Sequence, residues 1–223
     1  MIEFKNVCYA YENIPVLKNI NFKISKGESV ALYGANGTGK STLLKILNGL
    51  IFPEVGEYIF KGEVVTSKLM TNNGYAKNFH QQIGFVWQNP DVQLFCSSVE
   101  EELAFAPEQM GLPESEVNRR VDDAINLFGL EKLRHRAPYY LSGCEKKKVS
   151  IASILTMNPA IWTLDEPLSA LDEKTKSWLT EFLSELKRAG KTIIFSSHES
   201  DFIKILADWR LEIDAAHNAT VCK

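Results

Sequence analysis

Nine consecutive residues, Gly34-Ala35-Asn36-Gly37-Thr38-Gly39-Lys40-Ser41-Thr42, carry the spacing G-x-x-x-x-G-K-[ST] of a loop that holds phosphate. Glycines let backbone N–H groups turn inward around phosphate oxygens, and a helix beginning there adds partial positive charge. Lys40 is long enough to reach β- and γ-phosphates, and the Ser41 hydroxyl can ligate Mg²⁺. A second pair, Asp165-Glu166, follows the apolar run Ala160-Ile161-Trp162-Thr163-Leu164. At the end of a parallel strand, where ligands bind, the first acid organises Mg²⁺ beside a phosphate loop and the second can polarise the attacking water as a general base. A third segment, Leu141-Ser142-Gly143-Cys144-Glu145, opens a helix with Ser142 as its cap. A serine, a glycine and a free helix N-terminus make an anion site; alone, this segment reads as a capped helix start followed by a solvated basic face, Lys146 to Lys148.

These groups need particular elements behind them. Before the glycine loop, Glu28-Ser29-Val30-Ala31-Leu32-Tyr33 reads as a buried strand; after it, Ser41 to Leu47 reads as a helix. Ile2 to Val7 and Asn19 to Ile24 alternate with period two, Glu57 to Gly62 reads as a strand and turn, and Ile83 to Trp87 as a buried strand. Residues 66 to 80 are polar and irregular, which predicts a surface loop with a turn at Asn72-Asn73-Gly74. Val99 to Phe105 predicts a helix broken at Pro107, and Val117, Val121, Ala124, Ile125 and Phe128 recur at helical spacing up to Gly129. The helical stretch, about residues 91–157, reads as an insertion between strands. A helix over about 173–188, stopped by Gly190, and a strand over Lys191 to Phe195 follow. Strands alternating with helices imply a mainly parallel sheet covered on both faces.

At 223 residues the chain is long enough for one domain with a real core, and its 45% hydrophobic, 24% charged composition is ordinary for a globular protein. With a formal net charge of −3, no global basic field argues for nucleic acid, and none is expected as a partner. No apolar run approaches a membrane span, and the opening strand pattern predicts no leader peptide. Cys8, Cys96, Cys144 and Cys222 are scattered without a C-x-x-C pair, which fits free thiols and no zinc site; the four histidines share no metal-ligand spacing.

Taken in order, these segments resemble the ATP-binding cassette (ABC) family of transporter ATPases over nearly the whole chain. Gly34 to Ser41 matches its Walker A, Ile161 to Glu166 its Walker B and catalytic glutamate, and Leu141 to Glu145 its signature. Ser169-Ala170-Leu171-Asp172 matches the D-loop, His198 the switch histidine, Gln88 the Q-loop glutamine and Tyr11 the aromatic that stacks on adenine. The fold this implies is an α/β P-loop NTPase with a mainly parallel core sheet, an N-terminal antiparallel β subdomain and an inserted α-helical subdomain, all in a single domain of residues 1–223. The resemblance implies ATP and Mg²⁺ as ligands and two cassettes paired head to tail. Gly34, Asn36, Gly37, Gly39, Lys40, Ser41 and Thr42 would hold the nucleotide; Ser41, Gln88 and Asp165 would serve the metal. Glu166 would activate water and His198 would contact the γ-phosphate. Ser142 and Gly143 would complete the partner's site, and Asp172 would couple the two. Tyr9 is the alternative to Tyr11 as a plain strand tyrosine.

Val86 to Phe95 followed by Val99 to Phe105 is similar to the ATPases of energy-coupling factor importers, as is Glu145-Lys146-Lys147-Lys148. That subgroup takes up cobalt or nickel ions or vitamins. The likeness implies a transmembrane coupling subunit, a substrate-binding membrane subunit, a second cassette (identical or not) and a place on the cytoplasmic face of the membrane. The segment after Gln88 would dock on coupling helices, unless Leu94 and Phe95 are core. Cys144 departs from the family, which has glycine there; either its side chain loosens the partner's site, in which case Cys144→Gly would raise turnover, or a small cysteine is simply tolerated. A soluble cassette uncoupled from transport is the competing reading, without the coiled-coil insertion, second cassette or basic surface of nucleic-acid versions. An unrelated phosphate-loop kinase or GTPase is disfavoured because N-K-x-D is absent and the signature segment would have no role there.

Overall fold

The computed structural model describes residues 1–222. β1 (Ile2–Tyr11) and β2 (Ile14–Ile24) form an antiparallel hairpin in register Ile2 to Ile24 and Phe4 to Phe22. Alternation puts Ile2 and Phe4 of β1 and Ile20, Phe22 and Ile24 of β2 on one buried face, and register shifts on either side of Val7, where Asn6 and Asn19 take positive φ, bring Val7 and Leu17 into the same core. β4 (Val55–Phe60) pairs with the other edge of β1, and β5 (Glu63–Val64) completes a four-stranded sheet in the order β2-β1-β4-β5.

A second sheet contains β3 (Ser29–Tyr33), β6 (Ile83–Val86), β7 (Ile161–Leu164), β8 (Thr192–Ser196), β9 (Trp209–Ile213) and β10 (Ala219–Cys222), in the order β10-β9-β3-β8-β7-β6. Only the β9–β10 pair is antiparallel. β7 and β8 are buried along their whole length, as parallel strands covered on both faces must be. Helix α1 (Lys40–Leu47) lies between the two sheets and contributes Leu43, Leu44, Ile46 and Leu47 to their shared core. The α/β fold with an antiparallel N-terminal sheet and a parallel core is therefore the one expected from the sequence.

Register places the chemistry. Leu164 of β7 lies opposite Val86 of β6 and Phe195 of β8. The residues next after these three, Asp165, Trp87-Gln88 and Ser196-Ser197, thus come together at one sheet edge. The Asp165 N–H donates to the Val86 carbonyl at 2.9 Å and locks the first two.

Between β6 and β7 run α4 (Val99–Met110), α5 (Glu114–Phe128) and α6 (Gly143–Met157). Val117, Val121, Ala124, Ile125 and Phe128 are all buried, so the helical spacing marks a true inner face. Helices α7 (Glu173–Arg188) and α8 (Ser200–Leu206) flank β8.

Three local expectations are corrected. Residues 66 to 80 are not a loop: α2 (Ser67–Met70) and α3 (Asn73–Gln82) occupy them. Asn72 is the cap of α3, its side chain accepting from the Tyr75 N–H, so the residue type that suggested a turn starts a helix instead. Pro107 does not break α4. It forfeits one helical hydrogen bond but is itself buried, and the helix ends four residues later at Gly111, whose φ is 79°. The basic run after the signature is not a solvated face: Lys147 is 3% exposed.

Candidate functional site

Helix α1 starts with its donors uncovered. Its N-cap is Gly39 at φ 112°, with no side-chain cap and no acid in the first turn. Such an end presents unpaired N–H groups and partial positive charge to an incoming anion. Glycine is required at this cap: a Cβ on Gly39 would stand 2.5 Å from the Val16 carbonyl oxygen. At Gly34, φ 150°, a Cβ would stand 2.4 Å from the Ile213 carbonyl oxygen, so this glycine seats the loop against β9. Lys40 bends back over the loop, its Nζ donating to the Gly34 and Ala35 carbonyls at 2.8 and 3.0 Å. The ammonium is thereby held at the mouth of the α1 N-terminus.

The loop forms one wall of a cleft of about 260 Å³. Asn36, Gly37, Gly39, Lys40, Ser41 and Thr42 line that wall, with Gln88, Asp165 and Glu166 opposite and Val16 of β2 beside them. Nine residues singled out from the sequence therefore meet in one space. Val16 was not among them; its contribution depends on how the β1–β2 hairpin lies against the loop.

The acidic wall is held by a serine. Ser196 Oγ donates to Asp165 Oδ1 at 2.6 Å and accepts the Glu166 N–H at 2.8 Å. Glu166 has φ 44°, a left-handed value uncommon outside glycine, which turns the chain sharply as it leaves β7. Its Oε2 lies 3.1 Å from His198 Nδ1, while its Oε1 is buried with no hydrogen-bond partner. A buried carboxylate oxygen without a partner is costly and fits a site meant for a polar ligand such as water. Ser196 also escaped the sequence reading, because a serine at a strand end carries no motif.

Lys147 of α6 reaches the same wall from behind. Its Nζ donates to the Trp87 and Gln88 carbonyls at 3.1 and 3.0 Å. Burial pushes its pKa down to about 8, against the upward pull of the Asp165 and Glu166 carboxylates.

The remaining candidates lie outside the cleft. Tyr11 ends β1, edge-on to Tyr9 at 4.9 Å between ring centres, and is 40% exposed. Ser142 caps α6 in a capping box: its hydroxyl accepts the Glu145 N–H and donates to the Glu145 carboxylate, which also takes the Ser142 N–H. Those bonds hold the Glu145 carboxyl below its usual range. A Cβ on Gly143 would meet nothing within 4 Å. Cys144 does not project from the helix end; its Sγ turns inward to 3.6 Å from the Ala170 carbonyl and packs on the core. Asp172 caps α7 through the Thr175 N–H and hydroxyl, at 2.9 Å each, which lowers its pKa.

Among the described residues no group of three or more His, Cys, Asp or Glu could hold a metal. The oxygen donors Ser41, Gln88 and Asp165 around the cleft instead suit a hard cation that shares its coordination with substrate phosphates, as Mg²⁺ does.

Comparison with known proteins agrees with this geometry. The ABC transporter family profile matches residues 17–169. A putative ABC transporter ATP-binding protein of Clostridium acetobutylicum is 48% identical over 92% of this chain and 85% of its own length. The energy-coupling factor transporter ATP-binding protein EcfA of Methanothermobacter thermautotrophicus is 44% identical over 93% of this chain and 66% of its own. The nickel import ATP-binding protein LarO of Lactiplantibacillus plantarum is 41% identical over 97% and 90%. Among solved structures, cbiO1 from Clostridium perfringens, part of the ABC transporter complex cbiONQ, superposes with a TM-score of 0.83 at 33% identity, covering 98% of this chain and 86% of that one. A dimeric ATP-binding cassette in a post-hydrolysis state, bound to ADP and Pi, superposes with a TM-score of 0.88 at 27% identity, covering 98% and 96%. The chain belongs to the ABC transporter family and is one of its ATP-hydrolysing cassettes.

Proposed function

We propose that this cassette is the motor subunit of an importer of the energy-coupling factor type, binding ATP in the cleft between the glycine loop and the Asp165-Glu166 edge. The observation that carries the site assignment is the meeting of the α1 N-terminus, Lys40, Gln88 and Glu166 around one cleft. The loop N–H groups and Lys40 receive the β- and γ-phosphates, the ammonium exchanging its two carbonyl partners for phosphate oxygens. Thr42 lies two residues beyond Lys40 on α1, and Tyr11, paired in the hairpin with Ile14 two residues before Val16, offers its ring to adenine. Glu166 takes a proton from the attacking water as the P–O bond to ADP breaks and inorganic phosphate forms, and His198 orients the carboxylate by holding Oε2. Ser41 and Gln88, with Asp165 beside them, would hold Mg²⁺, which would neutralise phosphate charge. Ser142, Gly143 and Asp172 lie outside this cleft, as residues serving a second cassette's site would.

The importer reading is supported by relatives named for energy-coupling factor transport and nickel import. It is also supported by surface: Val92 and Phe95, just after Gln88, are each 67% exposed, whereas Leu94 packs on the core. Two large apolar side chains left in water beside the nucleotide edge suit a membrane subunit's coupling helix. Among the described residues no helix is long and apolar enough to cross a membrane. A place at the cytoplasmic face, reached through membrane partners, is supported by the relatives named as transport ATP-binding proteins. The cargo is a cobalt or nickel ion or a vitamin. The test is to replace Glu166 by Gln, so that ATP binds without being cleaved, and to isolate the trapped complex from native cells. Recovery of a polytopic coupling subunit with a small substrate-binding membrane protein is expected; recovery of soluble proteins alone would overturn the importer reading.

A further inference from the structure

The segment from Trp87 to Gln93 leaves the core sheet after β6 and is tied to helix α6 at three points. Lys147 Nζ holds the Trp87 and Gln88 carbonyls. Gln93 accepts the Trp87 N–H at 3.3 Å and donates to the Ser150 carbonyl at 2.8 Å and the Ser153 hydroxyl at 3.2 Å. Lys146 forms an ion pair with Asp91 at 2.7 Å. Two of these ties are partly exposed or amide bonds of ordinary strength. The Lys147 tie is neither: an ammonium is buried, at a desolvation cost, and its hydrogen bonds go to main-chain carbonyls. A lysine kept for charge alone would reach water, as its stem length allows.

We infer that Lys147 is a positioning residue: by clamping the Trp87 and Gln88 carbonyls from α6, it fixes where the Gln88 side chain stands in the phosphate cleft and ties that placement to the signature helix. α6 begins at Gly143, immediately after Ser142, and is continuous through Lys147, so a displacement of the signature end is carried one helical turn to the backbone of Gln88. Lys146 and Lys148 flank it, but only Lys147 faces inward to these carbonyls. Its role rests on the reading of Gln88 as a ligand of the nucleotide–metal complex.

The test is a cycle of the intact protein, Gln88→Ala, Lys147→Met and the double variant, read by ATP turnover with Mg²⁺, by nucleotide binding without divalent metal, and by hydrogen exchange over residues 87–93. Lys147→Met is expected to speed exchange in that segment, to lower kcat about ten-fold and to leave the KM for ATP within about two-fold. Metal-free nucleotide binding should be unchanged, and the double variant should be no slower than Gln88→Ala alone, the sign of two residues acting through one group. Losses that multiply in the double variant, or unchanged exchange over 87–93, overturn the inference about Lys147. An unaltered kcat in Gln88→Ala overturns the Gln88 reading and the inference with it. If Lys147→Met does not fold, Lys147→Gln, which keeps a donor at shorter reach, takes its place in the cycle with a smaller loss expected.

Discussion

His198 Nδ1 and Glu166 Oε2 stand 3.1 Å apart, and that contact divides the carboxylate: one oxygen is held by the imidazole and the other, Oε1, is buried without a partner. Such asymmetry suits the general-base role proposed for Glu166. One oxygen must be anchored so that the other is fixed relative to the water it will deprotonate. The imidazole side chain is itself 69% exposed, so the contact is made at the rim of the cleft and is open to change when nucleotide binds. His198→Ala is expected to lower kcat by about 10²-fold with the KM for ATP little altered, measured by steady-state phosphate release. A raised KM with unchanged kcat would mean that His198 only binds.

Ser196 is a second support for the same wall. Ser196→Ala leaves an Asp165 oxygen and the Glu166 N–H without their shared partner in a buried place. The expected loss of stability is about 1–3 kcal/mol by urea unfolding, together with slower turnover. An unchanged midpoint would show that the hydroxyl bonds are replaced as the site relaxes.

What could be read from the sequence was what is local. The glycine loop, the Asp165-Glu166 pair and the Ser142 cap depend on residues adjacent in the chain, and each is found as its spacing implied. Val16, Ser196 and Lys147 were missed because they reach the site through strand register or helix docking, which adjacent residues do not encode. A run of three lysines reads as a solvated face; only the seating of α6 against Trp87 and Gln88 buries the middle one. Helix α3 was misread because its anchor, Phe79, is the only fully buried residue in an otherwise polar stretch. Helix α8 and strands β9 and β10 are short and gave no strong period.

The α5 surface offers a pH test. Glu116 accepts from Arg119 and from Arg120, and these bonds lower its pKa to about 2. A carboxyl depressed on folding stabilises the protein fully above its ordinary value of about 4.5 and loses that contribution as pH falls toward 2. Arg120 also donates to the Thr156 carbonyl of α6, so the pair ties two helices. Urea midpoints between pH 6 and pH 2.5 should fall less steeply for Glu116→Gln than for the natural protein; parallel curves would show that the ion pair contributes nothing.

Cys144 replaces a family glycine, yet its thiol turns back toward Ala170. That inward turn favours the reading in which the small side chain is tolerated. Cys144→Gly should leave kcat within about two-fold. A several-fold rise would restore the view that the side chain obstructs the partner's site.

The assignment of Glu166 as the base stands at the centre of this account, and single-turnover hydrolysis by Glu166→Gln tests it most directly. The amide keeps the size of the side chain but cannot take the proton. ATP binding should be retained and the cleavage rate should fall by about 10²–10⁴-fold. Cleavage at the natural rate, with ATP bound normally, would contradict the account and move the base elsewhere in the cleft.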